Sequence, residues 1–291
     1  MNPQSAYSPH NPHKGSFKIN DTISTSFRHW VARNHVDAVE GLCHIPAEGP
    51  FIVVSNHLSF FDHYLLETVL HGARGRHVYF PAKAAHFNHP VKRLARLSVG
   101  CIPLDSDRPD RNSLAALKEV LDGGDVLCMY PEGTRWTGGG LAPFNDGPFY
   151  FAVRTGVPVV PVMIHGADRI LAKGEVRPRR ATARLVFGAR LTSMPGGRSR
   201  SAQIADLRTR ARARMEQLGD RARRTYGSPD EESARLIRRR ADEIAVAACV
   251  RGQGLDRTAR RRIAVLHSLA RASAADTPAP APAPAPAAVT G

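Results

Sequence analysis

Gly49-Pro50-Phe51-Ile52-Val53-Val54-Ser55-Asn56-His57-Leu58-Ser59-Phe60-Phe61-Asp62 is the stretch from which the fold can be read. Phe51 to Val54 is a short apolar, β-branched run that stops at a polar turn, the pattern of a buried strand. His57 then follows the strand's carboxyl end, and Leu65 to Leu70 continues in helical style. The same alternation recurs downstream. Residues 76–80 predict a second strand, and 113–121 a helix closed by Gly123-Gly124. Residues 125–130 predict a third strand, and 149–154 a helix ahead of Gly156. Apolar runs at 157–164 and 183–187 supply two more strands. Strands alternating with helices predict an α/β fold: a central, mostly parallel sheet flanked by helices, with loops at the strand ends. Pro158 and Pro161 argue against a central, fully paired strand at that position, because proline has no N–H to give the ladder.

The charge is uneven. The chain carries 41 Lys+Arg against 26 Asp+Glu, a net of +15. Residues 167–291 hold 26 of the cations and 12 of the acids, a net of +14. Such a surplus points to an anionic partner: a membrane surface, an acidic carrier protein or nucleic acid. The basic tail lacks the interleaved aromatics that stack bases, so no nucleic acid is expected. Cys43, Cys101, Cys128 and Cys249 form no C-x-x-C pair, which argues against a zinc site and a disulfide framework alike. They read as small buried hydrophobes in a reducing compartment. Residues 1–20 are polar, unlike a signal peptide, and no run of about 18 apolar residues marks a spanning helix. The expected location is cytoplasmic, peripheral on the inner face of the cell membrane.

Four regions are expected: a disordered segment over 1–20, a catalytic domain over 21–218, a basic helical extension over 219–274 and a Pro/Ala-rich disordered tail over 275–291. Ile204, Leu207, Ala211, Met215 and Leu218 form one helical stripe, read as core packing rather than membrane insertion.

Two blocks carry chemistry. In the first, His57 suits a general base, and Asp62, five residues on, can fix its tautomer and support the imidazolium. In the second, Tyr130-Pro131-Glu132-Gly133-Thr134-Arg135, the guanidinium of Arg135 can hold a phosphate by two parallel bonds. Glu132 can orient a neighbour or brace the His57 loop, and Gly133 lets backbone approach a substrate closely.

Together these blocks resemble the glycerolipid (lysophospholipid) acyltransferase family over residues 38–190. The histidine–aspartate motif falls on His57 and Asp62, and the Pro-Glu-Gly-Thr-Arg motif on Pro131 to Arg135. Ile102-Pro103-Leu104-Asp105-Ser106-Asp107-Arg108 resembles the intermediate block, and Val157 to Val162 the fourth. The resemblance implies a glycerol-3-phosphate acyltransferase-like fold, with His57 and Asp62 catalytic. It implies substrate binding by Lys83, Arg108, Glu132, Gly133, Thr134 and Arg135. Asp146 departs from the pattern, standing where the family often has a base. No N-terminal hydrophobic anchor is visible; weak amphipathic character around Phe27, Trp30 and Val31 is a substitute.

The implied activity is O-acyl transfer from acyl-CoA or acyl-carrier protein to a lysophospholipid, 1-acylglycerol 3-phosphate above all, giving phosphatidic acid. No metal and no cofactor beyond the thioester donor is expected. The implied partners are the lysophospholipid acceptor, the donor and an anionic membrane surface. Two alternatives stand beside this: the same chemistry on another lipid or secondary-metabolite acceptor, and a non-catalytic membrane-binding protein on the same fold.

Overall fold

The structure, a computed structural model, describes residues 25–75, 77–88, 93, 96–97, 100–104, 111–136, 138–194, 196–250 and 255–274. The disordered ends expected at 1–20 and 275–291 lie outside these residues, as does Arg108.

A helix over 25–34 (α1) leads into strand β1, Val36–Glu40. There follow β2 (Phe51–Ser55), helix α2 (Phe61–Arg74), β3 (Val78–Lys83) and β4 (Cys101–Leu104). Next come α3 (Arg111–Asp122), β5 (Val126–Met129), α4 (Gly147–Thr155) and β6 (Val159–His165). The one-turn α5 (Ala167–Ile170) precedes β7 (Ala183–Phe187). Three long helices close the fold: α6 (Arg200–Thr225), α7 (Glu231–Val250) and α8 (Arg257–Ala274). Among the described residues seven strands form one sheet in the order β1-β7-β6-β2-β5-β3-β4. Every neighbouring pair runs parallel except β6 with β7.

Helices cover both faces, which is why β2 and β5 read as continuous apolar runs instead of alternating ones. Successive residues of a strand feed opposite cores. Phe51, Val53, Val126 and Cys128 pack toward Leu65, Leu66 and Val69 of α2, Ile237 of α7 and Leu266 of α8. Ile52, Val54, Leu127 and Met129 pack toward Leu117 of α3, Phe149 of α4 and Leu207, Ala211 and Met215 of α6. The stripe on α6 is thus core. Truncating a fully buried leucine such as Leu207 to alanine costs about 2–5 kcal/mol, because the cavity adds to the lost transfer energy. Ser199 caps this helix, its Oγ accepting the Ala202 N–H at 3.3 Å.

Several expectations change. β6 is a central strand with β2 on one side and β7 on the other, despite its proline. Pro161 is tolerated because the regular β6–β7 register starts only at Val162↔Phe187, while its carbonyl still accepts the Gly188 N–H at 2.8 Å. The boundary expected at 218 falls inside α6, and beyond it Ile237, Ala241, Val265 and Leu266 join the α2-side core. Cys101 and Cys128 are buried as expected, but Cys43 is exposed. β1 was not read from the sequence at all. Its acids, Asp37 and Glu40, are buried against Arg184 of β7, with Asp37 Oδ2 2.8 Å from the Arg184 Nε. Burial nonetheless pushes the Asp37 carboxyl up, more strongly than Arg184 pulls it down.

Candidate active site

The parallel register Val54↔Met129 sets the carboxyl ends of β2 and β5 side by side. Residues just past those ends therefore meet at the strand-end edge where open α/β sheets place their sites. His57 and Tyr130 do so, their rings stacked with centroids 4.0 Å apart and 14° between planes.

The polypeptide turns sharply at 56–60 before entering α2. Asn56 holds the near end against β6: its Nδ2 donates to the Ile164 carbonyl at 2.9 Å, and its Oδ1 accepts the Ile164 N–H at 2.8 Å. Ser59 holds the far end, its Oγ donating to the Leu171 carbonyl at 2.6 Å and accepting the Phe61 N–H at 3.0 Å. Asp62, in the first turn of α2, is fully buried. A carboxylate there is favoured by the helix N-terminus. Its Oδ2 accepts the Leu58 and Ser59 N–H groups at 2.8 and 2.9 Å and lies 2.9 Å from the His57 Nδ1. That contact puts the proton on Nδ1 and leaves Nε2, with its lone pair, for chemistry. The His57 side chain is 14% exposed, so the ring sits in a crevice that still opens outward.

The second block grips the first by its backbone. Glu132 Oε1 accepts the His57 N–H at 3.0 Å, and the His57 carbonyl accepts the Trp136 N–H at 2.9 Å. The other Glu132 oxygen accepts the Ala142 N–H at 3.0 Å. Glu132, expected to bind substrate, is buried and spends both oxygens on backbone. The geometry supports its other reading, a brace for the His57 loop. Burial raises its carboxyl above the usual range, and the two N–H donors partly offset this. The brace continues into α6, where Arg212 donates to the Ala142 and Leu141 carbonyls at 2.7 and 3.0 Å.

Gly133 turns the chain with φ of 69°, and a Cβ there would come within 2.9 Å of the Asn145 amide nitrogen. Gly133 and Thr134 are exposed, and Arg135 is half-buried. Lys83, the last residue of β3, is exposed on the same edge. Asp146 is not a bare negative charge: Arg208 of α6 pairs with it at 2.6 Å.

Sequence reasoning missed three neighbours. His63, one residue past Asp62, packs edge-on to His57 at 5.5 Å and donates from Nδ1 to the Phe60 carbonyl at 3.0 Å. Burial first, then the charges of His57, Arg96 and Arg135, push its imidazole down to about 3. Arg96 is the second, its guanidinium 5.6 Å from the Phe60 ring centroid. Tyr130 is the third; its hydroxyl and the Asp62 Oδ1 are buried with no hydrogen-bond partner among the described residues. Only the position of His63 beside Asp62 could have flagged it among thirteen histidines.

A family model described as acyltransferase matches residues 38–165. The chain is 36% identical over 167 residues to 1-acyl-sn-glycerol-3-phosphate acyltransferase BAT2, chloroplastic, of Brassica napus, covering 53% of this chain and 47% of that protein. It is 32% identical over 147 residues to the human 1-acyl-sn-glycerol-3-phosphate acyltransferase alpha, covering 48% of this chain and 49% of that protein. The chain thus spans about half the length of the curated relatives it matches. The crystal structure of PlsC from Thermotoga maritima, a 1-acyl-sn-glycerophosphate (LPA) acyltransferase, aligns with a TM-score of 0.49 and 25% identity over 66% of this chain and 78% of that one.

Proposed function

We propose that this chain is a member of the acyltransferase family whose model matches residues 38–165, and that it moves an acyl chain from a thioester to the free hydroxyl of a lysophospholipid. The proposed acceptor is 1-acylglycerol 3-phosphate, and the product phosphatidic acid. The observation that carries this reading is the His57 Nδ1–Asp62 Oδ2 contact of 2.9 Å, which leaves Nε2 as a base beside the arginine-bearing turn.

The acceptor hydroxyl gives its proton to His57 Nε2 as its oxygen attacks the thioester carbonyl. Asp62 stabilises the imidazolium that forms, as in other carboxylate–histidine pairs. The tetrahedral adduct collapses, the carbon–sulfur bond breaks, and the imidazolium returns the proton to the leaving thiolate. No covalent acyl-enzyme is needed, because the thioester is already activated. Tyr130 stacking and the Glu132 brace keep the imidazole in place. Arg135 and Lys83 hold the phosphate; Arg108 has the same proposed role and lies outside the described residues. The donor is acyl-CoA or acyl-carrier protein.

No helix among the described residues is long and apolar enough to cross a membrane. The acceptor is a lipid, so the enzyme works as a peripheral protein on an anionic leaflet, on the cytoplasmic side. The cations of α6, α7 and α8, which hold most of the surplus of residues 167–291, supply the attraction, at about 1 kcal/mol for each cation close to the surface. Salt-reversible co-sedimentation with anionic but not neutral vesicles checks this; equal binding to both refutes it. The deciding experiment for the reaction incubates pure protein with labelled acyl-CoA and a panel of lysolipids. A phosphatidic acid product supports the reading, and acylation of none of the lysolipids ends it.

A further inference from the structure

His57 has cations on both sides along the strand-end edge. Arg135 and Lys83 follow β5 and β3 on one side. On the other side β6 lies next to β2, and the segment leaving α5 runs from Leu171 to Thr182 before β7 begins. That loop carries Lys173, Arg177, Arg179 and Arg180 against one acid, Glu175. Glu175 is used inside the loop, paired with Arg179 and accepting the Ala172 N–H at 3.3 Å. Lys173, Arg177 and Arg180 have no ion-pair partner among the described residues. All three are exposed, and Val176 between them is 89% exposed.

The loop is fixed relative to the catalytic turn. Leu171 at its start accepts from Ser59 Oγ at 2.6 Å, two residues from His57. Ala181 at its end accepts from His35 Nδ1 at 2.9 Å, and the His35 ring packs 4.8 Å from Phe61 at the start of α2. The Arg179 N–H donates to the Ile170 carbonyl at 2.7 Å and draws the two limbs together. At about 3.5 Å per residue, Lys173 lies within about 7 Å of Leu171.

We infer that the 172–180 loop is a docking face for an acidic carrier protein that presents the acyl thioester on a flexible arm; this rests on the acyl-transfer reading. The loop's chemistry separates this partner from two others. A nucleotide phosphate is held by donors that converge, whereas these cations are exposed at intervals along the loop, with the exposed Val176 among them. That layout is the charged rim and apolar centre of a protein contact. A bilayer face carries aromatic belts beside its cations, and this loop has no aromatic residue; the exposed rings Phe27 and Trp30 belong to α1, and Trp136 to the turn after β5. Cations placed here steer an acidic partner toward the edge where His57 opens, and the arm crosses the remaining distance.

The test presents one acyl chain to the full chain either on a bacterial acyl carrier protein or on CoA, with a lysophosphatidate acceptor. The combined substitution Lys173→Glu, Arg177→Glu, Arg180→Glu is expected to raise KM for the carrier-borne donor about tenfold or more and to remove its salt dependence. KM and kcat with the CoA thioester stay within about twofold, since exposed side chains change little else. The glutamine version of the same three positions gives an intermediate loss. Failure of the wild type to use the carrier-borne donor overturns the assignment. So does equal loss with both donors, or a loss of vesicle binding with the carrier KM unchanged. The underlying reading fails separately, if His57→Ala transfers as well as wild type from CoA.

Discussion

Glu132→Ala probes how the second sequence block supports the first. Its carboxylate holds two backbone N–H groups, those of His57 and Ala142, each at 3.0 Å. A hydrogen bond to a charged group contributes about 1.5–3 kcal/mol net, so the gross loss is about 3–6 kcal/mol. Part of this is returned, because burial already disfavours the ionised carboxylate. A net destabilisation of about 2–4 kcal/mol is expected. Glu132→Gln keeps one accepting oxygen but turns an amide N–H toward the other backbone donor, so roughly half that loss is expected. Urea unfolding of both variants reads the stability. Steady-state kinetics on the folded fraction read kcat, which falls because the His57 backbone is released, while KM for the phosphorylated acceptor changes little. A stability within about 0.5 kcal/mol of wild type together with an unchanged kcat refutes the brace. A rise confined to acceptor KM shows instead that Glu132 touches substrate.

His57→Ala is expected to lower kcat by about 10²–10⁴-fold or more with the fold intact, and Asp62→Asn to be severely impaired as well. Near-normal turnover in either folded variant removes that residue from the mechanism. Arg135→Ala raises KM for a phosphorylated acceptor well beyond its effect on the thioester, and Arg135→Lys restores only part, since an ammonium cannot make the planar two-bond contact. Equal effects on both substrates assign Arg135 a structural role. Acid weakens the fold through His63, held down to about 3 by burial, and His71, held to about 4. Both take up protons near 6.5 when unfolded, so their contribution is whole above that pH and is lost as pH falls toward 3–4. For His63 the slope is at most about 1.4 kcal/mol per pH unit. Urea midpoints between pH 7 and pH 5 measure it, and an unchanged slope in His63→Phe contradicts the assignment.

Much of the frame was legible because it is local. Phe51 to Val54 and Val126 to Met129 are apolar on both sides of the strand, and that pattern alone demands a sheet covered on two faces. The α6 stripe announced its buried side in the same way. The His57–Asp62 pair spans five residues, so one turn brings it together. What the sequence left open was everything decided by distant partners. β1 reads as polar because Asp37 and Glu40 stand in it; only Arg184, more than 140 positions later, makes their burial tolerable. Pro161 looked disqualifying until the irregular start of the β6–β7 register left its missing N–H without consequence. Glu132 is a motif carboxylate in sequence and a backbone brace in space, a role set by where the His57 and Ala142 N–H groups come to lie. The cations of the 172–180 loop are anonymous among 41 until the pairing of β6 with β2 sets them beside the catalytic turn. Periodicity and short spacings write local structure into the chain directly. Satisfaction of a buried charge, a missing donor or a loop's neighbour depends on which remote segments the core brings together, and only the folded molecule makes that choice.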